Sequence, residues 1–248
     1  MAEERQSLRV ERLALLPGRQ AFDTVIAPGE IVGLAGLEGH GQDAFLEILA
    51  GLRRPASGSV RLGNDTDGTL IASYRQAVRS GIAYLPRDRR STGIFPTLSV
   101  LDNFAIATIA RDIRGLLISR KARFARYAKF RDLLSVVAKD PRAPITALSG
   151  GNQQKILIAR LLALEPGILI LNDPTRGVDV ATRRVLYDVF RQLAVDGMAL
   201  VIVSSEIEEI TFLCHRVLVF RSHELSAQFA GEGMRFDRVI GAMFGRAA

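Results

Sequence analysis

Hydrophobic and polar positions alternate at the start of the chain and break at turns: "LRVERLAL", then Pro17-Gly18, then "FDTVIAPGE", then the apolar run "IVGLAG". The first two read as strands, and the third, apolar on both faces, as a central strand. Over residues 42–51 the period changes, with Phe45, Leu46, Leu49 and Ala50 on one helical face and Gly51 closing the run. "SGSVRLGNDTDG" predicts a short strand and a polar turn, residues 70–80 a helix, and "GIAYLP" another strand. From about residue 88 to 147 strand signals fade. "LSVLDNFAIATIA" and "SRKARFARYAKFRDLLSVVAKD" predict helices, the second with Phe124, Tyr127, Phe130, Leu134 and Val137 as its packing stripe. After Leu148 the alternation resumes: helix "NQQKILIARLLALEP", buried strand "GILILND", helix "VATRRVLYDVFRQLAVDG", strand "MALVIVSS", helix "EIEEITFLC" and a final strand "RVLVFRS". Strands alternating with helices of this length imply an α/β fold whose core is a mainly parallel sheet covered on both faces.

Composition changes this picture little. At 248 residues with 48% apolar content the chain can bury a full core. No apolar run approaches the ~18 residues that span a bilayer. The acidic, polar start "MAEERQSL" does not read as a signal peptide, so a cytoplasmic protein is expected. Cys214, among apolar neighbours, reads as an inert buried thiol. His40, His215 and His223 are too dispersed for a metal site, and Glu206, Glu208 and Glu209 read as a solvated, acidic helix start. Charge is more informative. Ten lysines and arginines against three aspartates between Arg111 and Arg142 equal the whole net charge of +7. Nucleic acid, anionic headgroups or an acidic partner would each suit such a segment.

Three stretches carry chemistry. "GLEGHGQD", residues 36–43, follows a central strand and opens a helix, the context of a phosphate-binding loop G-x-x-x-x-G-K-[ST]. Gly36 and Gly41 meet that pattern, but Gln42 replaces the lysine and Asp43 the magnesium-binding hydroxyl. "LSGGNQQK", residues 148–155, also opens a helix: Ser149 offers a hydroxyl, Gly150 and Gly151 allow close backbone approach, and the helix points its positive end outward. "ILILNDPTRGVD" follows at residues 168–179.

In this order and context the three stretches resemble the nucleotide-binding domain of ABC transporters, over nearly the whole chain. More narrowly, "LSGGNQQK", "PTRGVD" and "VSSE" at residues 203–206 are similar to the second, C-terminal nucleotide-binding domain of bacterial monosaccharide importers of the ribose, galactose and xylose type. The ending "FDRVIGAMFGRAA" shares that likeness. The resemblance implies a P-loop NTPase-like fold: one domain over residues 1–248, an antiparallel β part at its N-terminal end, and a helical subdomain, 88–147, inserted in the α/β core.

It also implies roles. ATP with Mg2+ would lie between the phosphate loop of one domain (here Gly36, Glu38, Gly39, His40, Gly41, Gln42 and Asp43) and the signature loop of a second. Leu148, Ser149, Gly150, Gly151, Asn152 and Gln153 would complete a partner's site, and Gly177 and Asp179 would lie at the dimer interface, with local turn-capping by Asp179 as the plainer alternative. Asp43 and Asn172 stand at the positions that hold Mg2+, Asp173 at that of the catalytic glutamate, and Ser205 at that of the switch histidine. Arg87 corresponds to an expected glutamine, and no aromatic stands near residues 13–17 to stack adenine. Asp173 is shorter than glutamate by about 1.5 Å of reach, and misplacement by ~1 Å costs about 100-fold in rate. The four replaced positions together carry one more negative charge than the pattern they depart from. Hydrolysis at this site is therefore expected to be absent or very slow; whether ATP still binds is left open. The implied partners are a competent ABC nucleotide-binding domain, fused or separate, transmembrane permease subunits and, indirectly, a periplasmic or extracellular sugar-binding protein. The implied location is the inner face of the cell membrane. A soluble ABC protein acting on nucleic acid through the basic insert is the alternative.

Overall fold

The computed structural model describes residues 6–64, 67–114 and 117–246. The acidic start 1–5, residues 65 and 66 of the polar turn, and the last two residues of the C-terminal ending lie outside the described residues. In chain order the elements are β1 (Leu8–Ala14), β2 (Phe22–Ile26), β3 (Ile31–Ala35), α1 (Gln42–Leu49), β4 (Ser57–Leu62), β5 (Thr69–Leu70), α2 (Tyr74–Arg79), β6 (Ile82–Leu85), α3 (Val100–Ala105), β7 (Ile113–Arg114) and β8 (Leu117–Ile118). They continue as α4 (Arg120–Leu133), α5 (Gly150–Leu162), β9 (Ile168–Asn172), α6 (Val180–Val195), β10 (Ala199–Val203), α7 (Ile207–Leu213), β11 (Arg216–Arg221), β12 (Glu224–Ala230) and α8 (Phe236–Met243).

The chain divides into two compact units. The first comprises residues 1–84, 167–174 and 191–248. It holds a four-stranded sheet, β2-β1-β4-β5, and a six-stranded sheet, β12-β11-β3-β10-β9-β6. In the second sheet β11, β3, β10 and β9 pair in parallel, so each is covered on both faces. That explains why every residue of β3, β9 and β10 is buried. Antiparallel pairing of β1 with β2 and β4 forms the smaller sheet. Phe22, Phe45 and Phe220 stack in the core with ring centroids 5.2–5.9 Å apart, directly after the glycine loop that precedes α1.

One strand of the six-stranded sheet escapes the sequence reading. The chain does not stop pairing at β11: β12 returns antiparallel to it and forms the sheet edge. The turn between them is Ser222-His223, both left-handed at φ 51° and 64°, the geometry of a two-residue type I′ hairpin. Asn-Gly normally signals that turn, so Ser-His conceals it.

The second unit comprises residues 85–166 and 175–190; the insert expected at 88–147 falls inside it. Serines cap three of its helices: Ser99, Ser119 and Ser149 accept hydrogen bonds from the backbone N–H three residues on, at the starts of α3, α4 and α5. Phe104 packs against Tyr127 and Phe130 at 5.6 and 5.9 Å. The expected helices are shorter than their periodicity implies. The one beginning at 98 ends at Ala105 and continues as a 3-10 stretch, Ile106–Asp112, leading into a hairpin of β7 and β8 where no strand was expected. α4 ends at Leu133 because Ser135 turns left-handed at φ 49°; Val136 N–H donates to Arg131 O and Ser135 N–H to Asp132 O, a Schellman closure without glycine. Val137 therefore lies beyond the helix and is exposed, not part of its stripe.

Candidate functional site

The first unit carries the glycine loop between β3 and α1. Gly41 caps α1 at φ 114°, a conformation that excludes a side chain, and a Cβ there would meet Leu15 Cδ1 at 2.8 Å. The loop is not open at Gln42. This residue is 6% exposed, and its Nε2 turns back to donate to Gly36 O at 3.3 Å and Leu37 O at 3.0 Å, leaving Oε1 buried without a hydrogen-bond partner. A Cβ on Gly36 would strike that oxygen at 2.7 Å, so Gly36 makes room for the amide. The glutamine thus ties the loop from inside. Glu38 and Gly39 are exposed, while His40 is held by its own N–H to Leu37 O at 3.0 Å and accepts the His223 N–H at 2.8 Å.

The two positions expected to hold Mg2+ are bonded to each other. Asn172, at the end of β9, donates Nδ2 to Asp43 Oδ1 at 3.2 Å. Mg2+ requires oxygen donors at about 2.0–2.1 Å in near-octahedral array. Here the NH2 of the Asn172 amide faces the carboxylate, the hydroxyl ligand is missing, and the amide oxygen of Asn172 is neutral and buried. With the amide hydrogens turned toward the carboxylate, Asp43 and Asn172, the expected Mg2+ positions, are not arranged as a donor set for the cation. Tyr84, on β6, is hydrogen-bonded to Asn172, and burial raises its phenol above its ordinary range despite that bond.

Asp173, 3% exposed and left-handed at φ 54°, is also engaged: its Oδ1 accepts both the backbone N–H and the Oγ of Ser205, each at 2.9 Å. A carboxylate held this way is fixed to the turn after β10. That turn is pinned in its own right, since Ser204 Oγ donates to Glu209 and accepts the Glu206 N–H at 3.0 Å. Glu209 is 3% exposed, which corrects its expected place on a solvated helix start: α7 buries this side together with Ile210 and Leu213. Cys214 is buried, and burial pushes its thiol above the ordinary range, as an inert thiol requires.

The signature stretch lies in the second unit, where most of its polar residues support its own geometry. Ser149 is exposed and caps α5, its Oγ accepting from Asn152 N at 3.4 Å and Asn152 Nδ2 at 3.1 Å. Asn152 Oδ1 accepts the Val137 N–H at 2.8 Å, Gln153 Nε2 donates to Ile145 O and Leu148 O, and Lys155 Nζ donates to Ser135 O at 2.9 Å. Burial lowers the Lys155 ammonium below its ordinary range, with Asp179 opposing. The "NQQK" half of the motif is thus a brace for residues 135–148. Asp179 caps the start of α6, taking the Thr182 N–H and hydroxyl at 2.8 Å each, and the Thr182 bonds hold its carboxyl below the usual range. A Cβ on Gly151 would lie 2.8 Å from Thr182 Oγ1, so glycine permits this close approach.

Arg89 has no signal in the sequence reading. Its Nη1 donates to Arg176 O at 3.0 Å, and its guanidinium occupies the space a Cβ on Gly150 would need and lies close beside Gly177, joining the two loops. A positive charge two residues after Arg87 was the only available cue. The basic insert looks inward at its centre. Arg123 and Arg126 both pair with Asp112, which is fully buried, and Arg111 pairs with Glu165 and caps the carbonyls of Ala163 and Leu164. Among the described residues, no helix is long and apolar enough to cross a membrane.

A family model described as ABC transporter matches residues 20–176. A ribose import ATP-binding protein of Rubrobacter xylanophilus is 36% identical over 223 residues, covering 90% of this chain and 43% of the relative. A xylose import ATP-binding protein of Burkholderia ambifaria is 38% identical over 230 residues, 91% of this chain and 44% of the relative. The chain spans a little under half the length of the curated relatives it matches. Among solved structures, MJ1267, an ATP-binding cassette of an ABC transporter, aligns with a TM-score of 0.80 at 15% identity, covering 98% of this chain and 100% of that one. The MJ0796 cassette dimer bound to ADP and phosphate aligns with a TM-score of 0.75 at 21% identity, covering 90% and 98%. These structural likenesses establish the P-loop cassette fold.

Proposed function

The chain belongs to the ABC transporter family, and from that premise we propose that it is the second, C-terminal-type nucleotide-binding domain of a monosaccharide importer, a half that supports hydrolysis in a partner's site and performs none in its own. The relatives named for ribose and xylose import, each about twice as long, support the substrate class and the pairing with a competent nucleotide-binding domain. One contrast carries the reading. Ser149 stands exposed at the head of α5 with Gly150 and Gly151 behind it, whereas Gln42 is bonded to carbonyls of its own loop, Asp43 to Asn172, and Asp173 to Ser205. The first arrangement presents a hydroxyl and a helix N-terminus to a phosphate from outside. The second presents neither a cation to the phosphates nor a carboxylate free of the switch serine.

In this reading the signature loop, Leu148 to Gln153, closes over ATP held by the partner, with Gly177 and Asp179 at the shared face. Closure is passed to separate transmembrane permease subunits on which segment 88–147 docks, at the inner face of the cell membrane. A binding protein outside the cell delivers the sugar. The chemistry of ATP cleavage resides in the partner's residues.

The test is ATP turnover by the assembled importer. Ser149→Arg is expected to lower it by roughly 100-fold, the scale on which one lost transition-state donor acts, while Asp173→Asn leaves it within about twofold of the parent. Vigorous ATP hydrolysis by the isolated chain, abolished by Asp173→Asn, would overturn the proposal.

A further inference from the structure

The junction of the glycine loop with strand β9 is where the family chemistry and this chain's residues disagree, and the disagreement has a positive content. We infer that the Asn172–Asp43 hydrogen bond takes the place of the divalent cation in this domain, so that the loop and the strand are joined at fixed geometry without metal. Asp43 sits in the first turn of α1 and Asn172 at the last position of β9, a strand flanked by β10 and β6. Two carboxylates at these positions would repel across the 3.2 Å that separates Nδ2 from Oδ1, and only a cation between them would relieve it. An amide at 172 removes one charge and supplies a proton to the other group. The remaining carboxylate is stabilised by the positive end of α1. Asn172 is 6% exposed, and its amide faces Asp43 with hydrogen. Gln42, closing the loop from within, makes the loop's shape independent of phosphate by the same means.

This inference rests on reading the loop as an ABC nucleotide site, and its test is run on the full chain alone, where the partner-turnover assay of Ser149→Arg has no bearing. The probes are Mg2+ in thermal unfolding and Mn2+ in electron paramagnetic resonance. The parent protein is expected to melt at the same temperature in EDTA and in millimolar Mg2+ and to immobilise no Mn2+. Asn172→Asp is expected to melt lower in EDTA, by about 2–4 °C, to recover in Mg2+, and to bind Mn2+ at least roughly 10-fold more tightly. Asp43→Asn keeps an acceptor for the Asn172 amide and is expected to melt as the parent does in both buffers. A parental melting point that rises with Mg2+, or parental Mn2+ binding that Asp43→Asn removes, overturns the inference; so does an Asn172→Asp protein that behaves as the parent in every buffer. Should Asn172→Asp fail to fold, the parent and Asp43→Asn still decide.

Discussion

Gln42 and Asn172 each bring an amide where the family pattern has a charged group, and each amide donates inward, to loop carbonyls in one case and to Asp43 in the other. Removing the first should therefore cost stability and not merely affinity. Gln42→Ala strips donors from the part-buried carbonyls of Gly36 and Leu37, a loss on the scale of ~1 kcal/mol, read as a lower midpoint in urea unfolding of the chain without nucleotide. Gly33 offers a second test, because a Cβ there would lie 2.9 Å from Cys214 Sγ and closer still to Ile210. Gly33→Ala forces α7 outward and should cost about 1–3 kcal/mol by the same measurement, as overpacking does. The replaced positions were plain in the one-letter text: glutamine for lysine, aspartate for a hydroxyl, asparagine for an acid. What fills the space was not, because the partners of an amide depend on which carbonyls the folded loop turns toward it. Glu209 shows the same limit: three acidic residues within four positions look solvated, but Ser204, placed by β10, donates to Glu209 and helps make its burial tolerable.

At the scale of elements, the strands buried on both faces and the helix face of Phe45, Leu46, Leu49 and Ala50 were legible because period and burial coincide there. Element ends were not. Ser135, Ser222 and His223 adopt left-handed angles without the glycine or asparagine that announces them, so α4 stops early and β12 went unseen. Arg89 illustrates a contact between elements that no local pattern encodes, joining the Arg176–Gly177 turn to the start of α5. Replacing it with leucine should leave both helices formed but speed amide hydrogen exchange at residues 149–152 and 176–178 and, on the proposed function, lower turnover by the assembled importer without changing its apparent affinity for ATP. Unchanged exchange at both loops would show that Arg89 is not the tie between them.

At the scale of the whole molecule, several of the ten basic side chains between Arg111 and Arg142 are held in ion pairs. Arg123 and Arg126 are committed to buried Asp112, and Arg111 to Glu165 and a helix end. The purified chain is accordingly expected not to retain duplex DNA or RNA at physiological ionic strength; salt-dependent retention there would revive the nucleic-acid reading. The bond between Asp173 and Ser205 reaches further than its own turn. On the proposed function, with Asp173 Oδ1 holding both the N–H and the hydroxyl of Ser205, the switch serine is committed within this domain and is not offered to a γ-phosphate. On that same proposal, a pair built from this domain and a competent one would consume one ATP, in the competent site, each time the two part.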